Sequence, residues 1–367
     1  MKTNVLLIIA FLGLSMASCI KDEPLNREAD IVDVFVDNGT FIDRSIAMND
    51  TVQLILSDEA DLTKVAPLFK VSPGATISPA SGDTVDLSDK KVVTYEITSE
   101  DGKYKKTYGL VVTDVKLKYN FENWTSAGTE DHPYPVLRDA MWSNANAGVI
   151  TAVLIGAIPR PDPFPTDKTT DCVEGKYAAS LTTIEGGKIF GKNYPIFAGN
   201  LLRGDFKANM FNPLKSLYLG RNHPEKYGKP VFFTGYYKYT PGEKMIGSDG
   251  QDQMSMYAAL FRVTKGAAPN KEYLDGETIL TSDRVVARAE WRPDNKNMTE
   301  IKVENGFTQF SIPFKYYPEN LELDYENNDY RLTIVCSSSK DGNLYIGAVG
   351  SNLTVDELEV VCDPIIK

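Results

Sequence analysis

Short runs of alternating apolar and polar residues recur along almost the whole chain, and no helical stretch of ten or more residues separates them. Residues 31–36, 51–56, 92–98 and 106–112 are early examples. A period of two is typical of strands with one buried face. Because strands follow one another without helices between them, antiparallel β-structure is favoured over alternating β-α units. We therefore expect an all-β protein.

The pattern of residues 29–114 predicts one small β-domain. The segment Ser99-Glu100-Asp101-Gly102-Lys103 lies between two alternating runs, and Asp-Gly in that position predicts a hairpin. Residues 68–79 contain Pro73 and Pro79 and are expected to form an edge strand and turn, since proline is kept out of central strands. Strand number and spacing predict an immunoglobulin-like β-sandwich, without the Cys-Trp-Cys signature of antibody domains.

Residues 115–367 form a second, longer unit, in which loops rich in Pro, Gly, Asn and Asp separate the runs. Its length and its many strand-like runs predict a jelly-roll β-sandwich with long loops. No fixed period repeats along the unit, which argues against propellers and solenoids. The predicted strands are residues 149–157, 176–181, 231–239, 254–263, 285–291, 306–314, 331–337 and 353–362.

The first 18 residues have the pattern of a secretory signal peptide. Lys2 precedes an apolar stretch at residues 5–14, and small residues lead up to Cys19. The stretch is shorter than the roughly 20 residues that a membrane-spanning helix needs. A cysteine directly after Ala17-Ser18 resembles a bacterial lipobox, which predicts a lipid anchor on Cys19. The alternative is a plain signal peptide with an incidental cysteine.

Residues 19–28 are expected to form the anchor and its tether. The segment Ile20-Lys21-Asp22-Glu23 is similar to the acidic tag that follows the anchor of surface-exposed Bacteroidetes lipoproteins. The resemblance implies a protein held in the outer membrane by its lipid and exposed at the cell surface. Several acyl chains on one cysteine anchor firmly, because each buried methylene contributes about 0.8 kcal/mol.

Charge narrows the range of partners. The chain has 39 Lys and Arg against 50 Asp and Glu, a net charge of −11. Nucleic-acid-binding domains carry basic patches, so nucleic acid is not an expected partner. The same balance argues against attraction to anionic lipid.

Cysteine and histidine usage indicates no zinc site. Cys172, Cys336 and Cys362 remain after the anchor, and an odd number leaves at least one free thiol. Cys336 and Cys362 both fall in strand-like runs; buried free thiols are the preferred interpretation, and a disulfide between them is the alternative. The two histidines, His132 and His223, are far apart in sequence, and no Cys/His cluster has zinc spacing.

The second unit resembles a family of Bacteroidetes lipoproteins that carry a putative carbohydrate metabolism domain. The resemblance covers roughly residues 115–362, and the Ig-like domain in front is also usual in that family. It implies a jelly roll related in shape to carbohydrate-binding modules and to some glycosidases. The motifs that carry it are residues 119–124 (YNFENW), 134–135 (YP), 142–148 (WSNANAG), 172–181 (CVEGKYAASL), 198–206 (AGNLLRGDF), 228–230 (GKP), 235–242 (GYYKYTPG), 337–342 (SSSKDG) and 350–358 (GSNLTVDEL).

Aromatic residues beside polar loop residues are the candidates for sugar binding. Sugar rings have apolar faces and a rim of hydroxyls, so their sites pair aromatic rings with Asn, Asp or Arg. Aromatic residues are also common in strands and cores, which is the competing interpretation for each of them. The candidate ligand-binding residues are Trp142, Asn144, Tyr134, Arg203, Asp205, Tyr237 and Tyr239.

Carboxylates permit two further hypotheses. A glycosidase needs two carboxyl groups roughly 5 to 9.5 Å apart, but the many acidic residues single out no pair. In several carbohydrate-binding jelly rolls a Phe-Glu near the first strand and an Asp in the last strand hold calcium. The resemblance therefore implies a structural calcium at Glu122 and Asp356, against a plain exposed or ion-paired arrangement. No other cofactor is expected.

Together these observations predict a lipid-anchored, two-domain, all-β protein of the cell envelope. Its C-terminal jelly roll is expected to bind a glycan, and its N-terminal sandwich to lift that site from the membrane. The first alternative is a glycoside hydrolase acting through a carboxylate pair in the same domain. The second is a structural or adhesive surface protein, which would present a flat or apolar surface in place of an aromatic-lined cleft.

Overall fold

The computed structural model describes residues 25–37, 40–47, 51–56, 60–112, 117–139, 141–209, 212–268 and 271–363. The predicted signal peptide, the lipidation site at Cys19 and the first part of the tether lie outside these residues. Within the described part of the chain, no helix is long and apolar enough to cross a membrane.

The N-terminal unit is a sandwich of two sheets. Its strands are β1 (Ile31–Val36), β2 (Phe41–Ala47), β3 (Thr51–Leu56), β4 (Pro67–Val71), β5 (Thr76–Ser78), β6 (Val93–Thr98) and β7 (Lys105–Val112). β1 pairs with β4, and the other strands form a sheet in the order β2-β3-β7-β6-β5, with β3 parallel to β7. Val34, Leu54 and Ile97 share one buried cluster between the sheets. The predicted immunoglobulin-like architecture is confirmed.

The predicted hairpin and one strand that the sequence did not reveal show how local chemistry shapes this domain. β6 and β7 are antiparallel, and in their turn the Asp101 carboxylate accepts hydrogen bonds from Ser99 Oγ at 2.7 Å and Lys103 N at 3.0 Å.

The strand β2 was not predicted, because Asp43-Arg44-Ser45 interrupts its apolar pattern. Arg44 is nevertheless buried, with its Nε 2.7 Å from Asp33 Oδ1.

The C-terminal unit contains many short and a few long strands. Its elements are β8 (Lys118–Tyr119), β9 (Trp124–Gly128), β10 (Pro133–Leu137), β11 (Trp142–Ser143), α1 (Asn146–Leu154), β12 (Thr166–Thr169), β13 (Ala178–Thr182), β14 (Ile184–Ile189), β15 (Lys192–Phe197), β16 (Asn200–Phe206), β17 (Leu217–Leu219), β18 (Arg221–Asn222), β19 (Lys229–Thr240), β20 (Met245–Ile246), β21 (Ser255–Thr264), β22 (Val285–Glu290), β23 (Thr299–Lys302), β24 (Thr308–Pro313), β25 (Lys315–Tyr316), β26 (Asn328–Ser337), β27 (Gly347–Ala348) and β28 (Asn352–Asp363).

Two large sheets face each other in this unit. Within the described residues, the eight-stranded sheet has the order β11-β16-β26-β21-β22-β25, with β17 beside β16 and β18 beside β26. The seven-stranded sheet has the order β12-β13-β28-β19-β24-β23, with β8 beside β28. Neighbouring strands within each sheet are antiparallel. This is the jelly-roll sandwich that the sequence predicts.

Alternate residues of the eight-stranded sheet enter two different apolar clusters. On β21, Met256 and Leu260 point into the core between the large sheets, where they meet Phe233 of β19. Tyr257 and Phe261, one position along, belong to a second cluster on the opposite face. Successive side chains of a strand point to opposite faces, so this sheet is apolar on both. Its outward face must therefore be covered by loops.

One predicted strand is wrong. Residues 149–157 were expected to be extended, but the chain forms the helix α1 and buries Val149, Ile150 and Ala152. A short apolar run fits a strand and a buried helix equally well, so periodicity could not decide. The helix ends where Gly156 takes φ +72°, with Gly156 N bonded to Val153 O and Ala157 N to Ala152 O. This pair of bonds is the Schellman arrangement.

All three described cysteines carry free thiols, so the disulfide alternative for Cys336 and Cys362 is not realised. Cys336 is fully buried, which agrees with the preferred interpretation, and burial raises the pKa of its thiol. Cys362 is partly buried on β28, and burial raises its pKa to about 12. Both groups therefore act as apolar packing residues at neutral pH.

Candidate functional site

A groove of about 350 Å³, the sheet groove, lies on the outward face of the eight-stranded sheet. Leu202, Tyr257 and Val335 line it from β16, β21 and β26 and belong to the second apolar cluster. Because the inward neighbours of these residues build the core, packing of the sandwich fixes the floor. Burial raises the pKa of Tyr257, whose hydroxyl remains protonated at neutral pH.

Loops and small elements from several parts of the chain supply the walls of the sheet groove. The hairpin β14–β15 supplies Ile189, Tyr194 and Phe197, and α1 supplies Gly148 and Val149. The remaining wall segments are residues 206–209, 214–217, 276–280 and 340–345. The groove is thus assembled from segments that are distant in sequence.

Aromatic side chains from two walls meet at the sheet groove. The rings of Tyr194 and Tyr345 are 4.7 Å apart in an edge-to-face arrangement, a preferred geometry for aromatic pairs. Phe197 lies on the same hairpin as Tyr194, and Leu344 beside Tyr345 is 57% exposed. Burial raises the pKa of Tyr345, so its hydroxyl can donate a hydrogen bond at neutral pH. The walls offer the apolar surface and donors that a sugar ring requires.

Charged and amide side chains complete the lining. Glu290 lies at the end of β22, and its Oε2 is 3.3 Å from Arg288 Nη2. Lys340, Asp341 and Asn343 come from the 340–345 wall. The lining therefore carries both positive and negative charges, and neither sign is in large excess. A few polar groups within an apolar pocket are typical of small-molecule sites, where they fix the orientation of the ligand.

Asp252 ties together the two ends of the 340–345 wall. Its Oδ2 accepts hydrogen bonds from Ser339 Oγ at 2.5 Å, Ser351 Oγ at 2.7 Å and Ala348 N at 2.7 Å. Oδ1 accepts from Gln253 N at 2.8 Å. Asp252 is 3% exposed. A buried carboxylate is tolerated when donors satisfy its oxygens, and here those donors flank the wall.

A second cavity, the acidic cavity, has a volume of about 500 Å³ and shares no lining residue with the sheet groove. Tyr119, Phe121 and Trp142 form its aromatic side. Its charged lining residues are Lys118, Glu122, Asp139, Glu174 and Glu357. Lys118 Nζ lies 3.3 Å from Glu357 Oε2, so at least one of the four carboxylates is ion-paired.

Glu122 and Asp356 hold the loop that closes one side of the acidic cavity. Glu122 Oε1 accepts hydrogen bonds from Lys176 N at 2.9 Å and Tyr177 N at 3.1 Å. Asp356 Oδ2 accepts from the backbone N–H groups of residues 173 and 174, at 2.8 and 3.3 Å. Burial raises the pKa of Asp356 although these donors act to lower it. Both predicted calcium ligands thus accept backbone hydrogen bonds from one loop.

Left-handed backbone occurs twice at the rim of the acidic cavity. Phe121 has φ 52° and Glu357 has φ 46°. The pairing register between β19 and β28 shifts at Glu357. Thr234 pairs with Glu359 and Tyr236 with Asp356, so two residues of β28 face one of β19, which is a β-bulge. Non-glycine residues in this region are uncommon, and they and bulges concentrate at functional sites.

Among the predicted ligand-binding residues, Trp142 alone lines either cavity. It is 4% exposed, and its ring is 4.9 Å from that of Tyr119 at the acidic cavity. Asn144 is buried, with Nδ2 donating to Pro135 O at 3.2 Å and Oδ1 accepting from Asn146 N at 3.0 Å. Tyr134 is half-buried and packs against the cluster around α1. Asn144 and Tyr134 thus contribute to the structure around α1.

Arg203 and Asp205, also predicted to bind ligand, take part in buried contacts. Arg203 is fully buried and donates from Nε to Tyr119 Oη at 2.9 Å and from Nη1 to Leu332 O at 2.5 Å. Asp205 Oδ1 accepts from Arg221 Nη2 at 2.7 Å. Burial would raise the pKa of Asp205, but the guanidinium of Arg221 outweighs that effect and holds the pKa below its usual value.

Tyr237 and Tyr239 share one face of β19, as the sequence pattern indicates. Tyr237 is buried and donates from its hydroxyl to Glu300 Oε1 at 2.5 Å. Tyr239 packs against the core between the large sheets and donates to Ser338 O at 3.2 Å. Burial raises the pKa of both hydroxyls. Neither residue lines either cavity.

Sequence reasoning missed the aromatic residues of the sheet groove. Tyr194 and Phe197 belong to a hairpin that carried no prediction, and Tyr345 follows the Lys340-Asp341-Gly342 segment of the family-like motifs. Nothing in their local sequence distinguishes them from core aromatics. What brings them together is pairing between distant segments.

The described residues contain no group of three or more His, Cys, Asp or Glu side chains placed to hold a metal ion. The carboxylate oxygens of Glu122 and Asp356 that face the loop are engaged by N–H donors. The structure thus supplies no further reason for calcium at this position, and calcium stays a prediction.

Profiles of two protein families match the chain. Residues 120–361 match the family described as "Putative carbohydrate metabolism domain", and residues 31–112 match the one described as "SGBP, N-terminal". The first match spans well over half of the chain, which therefore belongs to the putative carbohydrate metabolism domain family. The resemblance drawn from the sequence motifs is confirmed.

Two solved structures are similar to this chain. One is titled a putative glycoside hydrolase from Bacteroides thetaiotaomicron; it has 30% identity and a TM-score of 0.73, over 94% of this chain and 99% of that one. The other is titled a putative glycoside hydrolase from Bacteroides vulgatus; it has 28% identity and a TM-score of 0.54, over 67% of this chain and 98% of that one. No curated protein sequence matches. These relations support a carbohydrate-related role for the chain.

Proposed function

We propose that this protein is a cell-envelope lipoprotein that binds a glycan in the sheet groove. The observation that carries the proposal is the meeting of Tyr194 and Tyr345 above an apolar floor. Sugar rings pack their C–H faces on aromatic side chains while amides and charged groups take the hydroxyls. Family membership adds the expectation that the partner is a carbohydrate.

The charges of the groove favour a glycan without many acidic groups. Glu290 is paired with Arg288, and Lys340 stands next to Asp341. An acidic polysaccharide would find little net positive charge here and would be repelled by the net charge of the chain. A neutral oligosaccharide fits the groove better.

Binding can be tested with a glycan array followed by calorimetry on the oligosaccharides that are retained. Tyr345→Ala removes one ring of the aromatic pair and should weaken binding about tenfold or more, equivalent to about 1.4 kcal/mol. Tyr104→Ala is a matched control, since this tyrosine is 48% exposed and lies in the N-terminal sandwich. An empty array, or equal losses in both variants, would contradict the proposal. An empty array would favour the structural or adhesive alternative.

A hydrolase is the second candidate because Glu290 and Asp341 both line the sheet groove. The two similar structures are titled putative glycoside hydrolases. Retaining and inverting glycosidases both act through a pair of carboxyl groups. Release of reducing sugar from a bound oligosaccharide, lost in Glu290→Gln or Asp341→Asn, would establish turnover. Binding without release would leave the groove a binding site.

The proposed location is the outer membrane, with the lipid on Cys19 and the body exposed at the cell surface. The signal-peptide pattern and the acidic tag after Cys19 support it. Metabolic labelling with palmitate should label the protein, and Cys19→Ala should abolish the label. Protease added to intact cells should degrade the wild-type protein. Survival of the protein in that experiment would place it on the inner leaflet.

Calcium between Glu122 and Asp356 can be tested separately. If the ion binds, added calcium should raise the melting temperature relative to the same protein in chelator, because a ligand of the folded state stabilises that state. Asp356→Asn should remove the difference. Identical melting curves with calcium and chelator would reject the hypothesis.

A further inference from the structure

We propose that the ligand of the sheet groove is a neutral saccharide that carries an apolar substituent, an aryl or short alkyl group. This inference rests on the proposed function, because it names the chemical class of ligand for the same groove. The apolar group packs on an aliphatic part of the lining, and the saccharide meets the 340–345 wall. What points to such a ligand is the uneven distribution of polar and apolar side chains around the groove.

The charged and amide side chains that a saccharide can use are concentrated in the 340–345 wall. Lys340, Asp341 and Asn343 line the groove there, and Lys340 and Asn343 are exposed. Within the described residues, these three side chains make no hydrogen bond or ion pair. Their ammonium, carboxylate and amide groups are therefore available to sugar hydroxyls, which both donate and accept hydrogen bonds.

A second part of the lining is aliphatic. Leu214 and Leu217 come from one wall segment, and Ile279 and Leu280 come from another. The two segments are in contact, because Gly276 N donates a hydrogen bond to Leu214 O at 3.1 Å. Leu280 is 50% exposed and lines the groove, so it offers apolar surface to a ligand. A sugar hydroxyl placed against this surface would lose hydrogen bonds with water and gain none.

The polar lining residues beside the aliphatic part already have partners within the protein. Ser216 is 2% exposed, and its Oγ accepts a hydrogen bond from Asn209 N at 2.8 Å. The carboxylate of Glu290 is ion-paired with Arg288, which also donates from Nη1 to Leu280 O at 3.4 Å. An apolar group of the ligand therefore fits this part of the groove better than a second polar one.

Two simpler classes of ligand leave part of the lining unused. A purely apolar molecule makes no use of Lys340, Asp341 and Asn343 and would take away water from them. A saccharide without a substituent leaves the surface of Leu214, Leu217 and Leu280 in contact with water. A saccharide with an apolar substituent meets both parts at once.

The size of the groove agrees with this class of ligand. An apolar cavity of roughly 150 Å³ is enough to bind benzene. The sheet groove has a volume of about 350 Å³. It therefore has room for an aromatic ring or a short alkyl chain and for part of a saccharide.

Paired glycosides test the proposal by calorimetry on the purified protein. The probes are the phenyl and methyl β-glycosides of glucose, galactose, mannose and xylose, with benzyl alcohol as the sugar-free compound. For at least one sugar, the phenyl glycoside should bind at least about tenfold more tightly than the methyl glycoside, because removal of apolar surface from water favours binding. Benzyl alcohol should bind at least about tenfold more weakly than that phenyl glycoside.

Three variants assign the two parts of the ligand to the two parts of the groove. Leu280→Ser should lower the preference for phenyl over methyl glycoside about threefold or more, because it removes apolar surface. Asn343→Ala should weaken binding of both glycosides and leave that preference unchanged. Leu154→Ser is the matched control, since Leu154 is 57% exposed and lies outside the lining of the groove. It should leave both affinities unchanged.

The outcomes separate this inference from the proposed function. Equal affinity for the phenyl and methyl glycosides of every sugar that binds would overturn the inference and leave glycan binding in place. Benzyl alcohol that binds as tightly as the phenyl glycosides, or equal preferences in Leu280→Ser and Leu154→Ser, would also overturn it. If no glycoside binds, the inference fails, and an empty glycan array would then show that the proposed function fails with it.

Discussion

Glu122 and Asp356 accept hydrogen bonds from the two halves of one loop, although they come from opposite ends of the C-terminal domain. Glu122 binds the N–H groups of Lys176 and Tyr177, and Asp356 those of Val173 and Glu174. The first and last parts of the domain are thereby fastened at the acidic cavity. Hydrogen bonds to a charged acceptor are stronger than neutral ones, so this loop should report on the stability of the whole domain.

Replacing Asp356 with alanine should destabilise the C-terminal domain by about 1 to 3 kcal/mol, because three backbone N–H groups lose a buried acceptor. Urea unfolding followed by tryptophan fluorescence measures this, since Trp124, Trp142 and Trp291 all lie in that domain. Asp356→Asn keeps one acceptor oxygen and should lose less. Equal stability of wild type and Asp356→Ala would show that the loop contributes nothing to folding.

Gly175→Ala should also destabilise the domain, by about 1 to 3 kcal/mol. Gly175 has φ +76°, and an added Cβ would lie 2.1 Å from Glu122 Oε1, so the carboxylate would have to move from the loop. Gly191→Ala is the matched control: its φ is +80°, but a Cβ there meets no heavy atom within 4 Å. Strain alone would affect both variants equally, whereas the clash predicts a clearly larger loss at Gly175.

Acidification should destabilise the domain through His223. Burial lowers the pKa of this histidine from 6.5 to about 4, and its Nε2 is 2.8 Å from Gly228 O. Below pH 6.5 the unfolded chain binds a proton that the folded chain excludes. Stability is therefore full above pH 6.5 and falls as the pH drops toward 4, by about 3 kcal/mol from this group.

Proton NMR can follow the two histidines of the chain separately during this titration. The His223 resonance should not shift until the pH approaches 4. Urea unfolding at pH 7.5 and 4.5 should give a smaller difference for His223→Gln than for the wild type, and an unchanged difference for His132→Gln. A His223 resonance that moves with a midpoint near 6.5 would contradict the predicted burial.

Asp252→Asn should loosen the 340–345 wall of the sheet groove. An amide cannot accept from Gln253 N on one side and from Ser339, Ala348 and Ser351 on the other. We expect a loss of about 1 to 3 kcal/mol in stability, together with faster hydrogen exchange in the wall and weaker glycan binding. Asp249→Asn, at an exposed site nearby in sequence, should change none of these. If hydrogen exchange in the wall were the same in Asp252→Asn as in the wild type, Asp252 would not be what positions the wall.

The strands were predictable because alternation is a local property. The pattern of residues 51–56 matches β3, and Asp101-Gly102 marks the turn between β6 and β7. The prediction failed for α1, where an apolar run allowed either conformation. It also missed β2, where the buried ion pair of Arg44 with Asp33 replaces the apolar pattern.

The candidate sites were harder to predict because they depend on contacts between distant segments. Trp142 was placed correctly beside polar neighbours, yet Glu174 and Glu357, which line the same cavity, come from a later loop and from β28. Tyr345 reaches Tyr194 through loop packing that no sequence spacing encodes. Asp252, which holds that packing in place, looks like any surface acid in the sequence.

The alternation of Met256 and Tyr257 on β21 has a consequence for how this protein can change over time. A substitution in the floor of the groove disturbs the strand that builds the interior of the sandwich, whereas the surrounding loops can vary in length and side chain with the sheets intact. New ligand specificities should therefore evolve through changes in the wall loops while the sheet stays the same. Related proteins could then bind different ligands on one conserved fold.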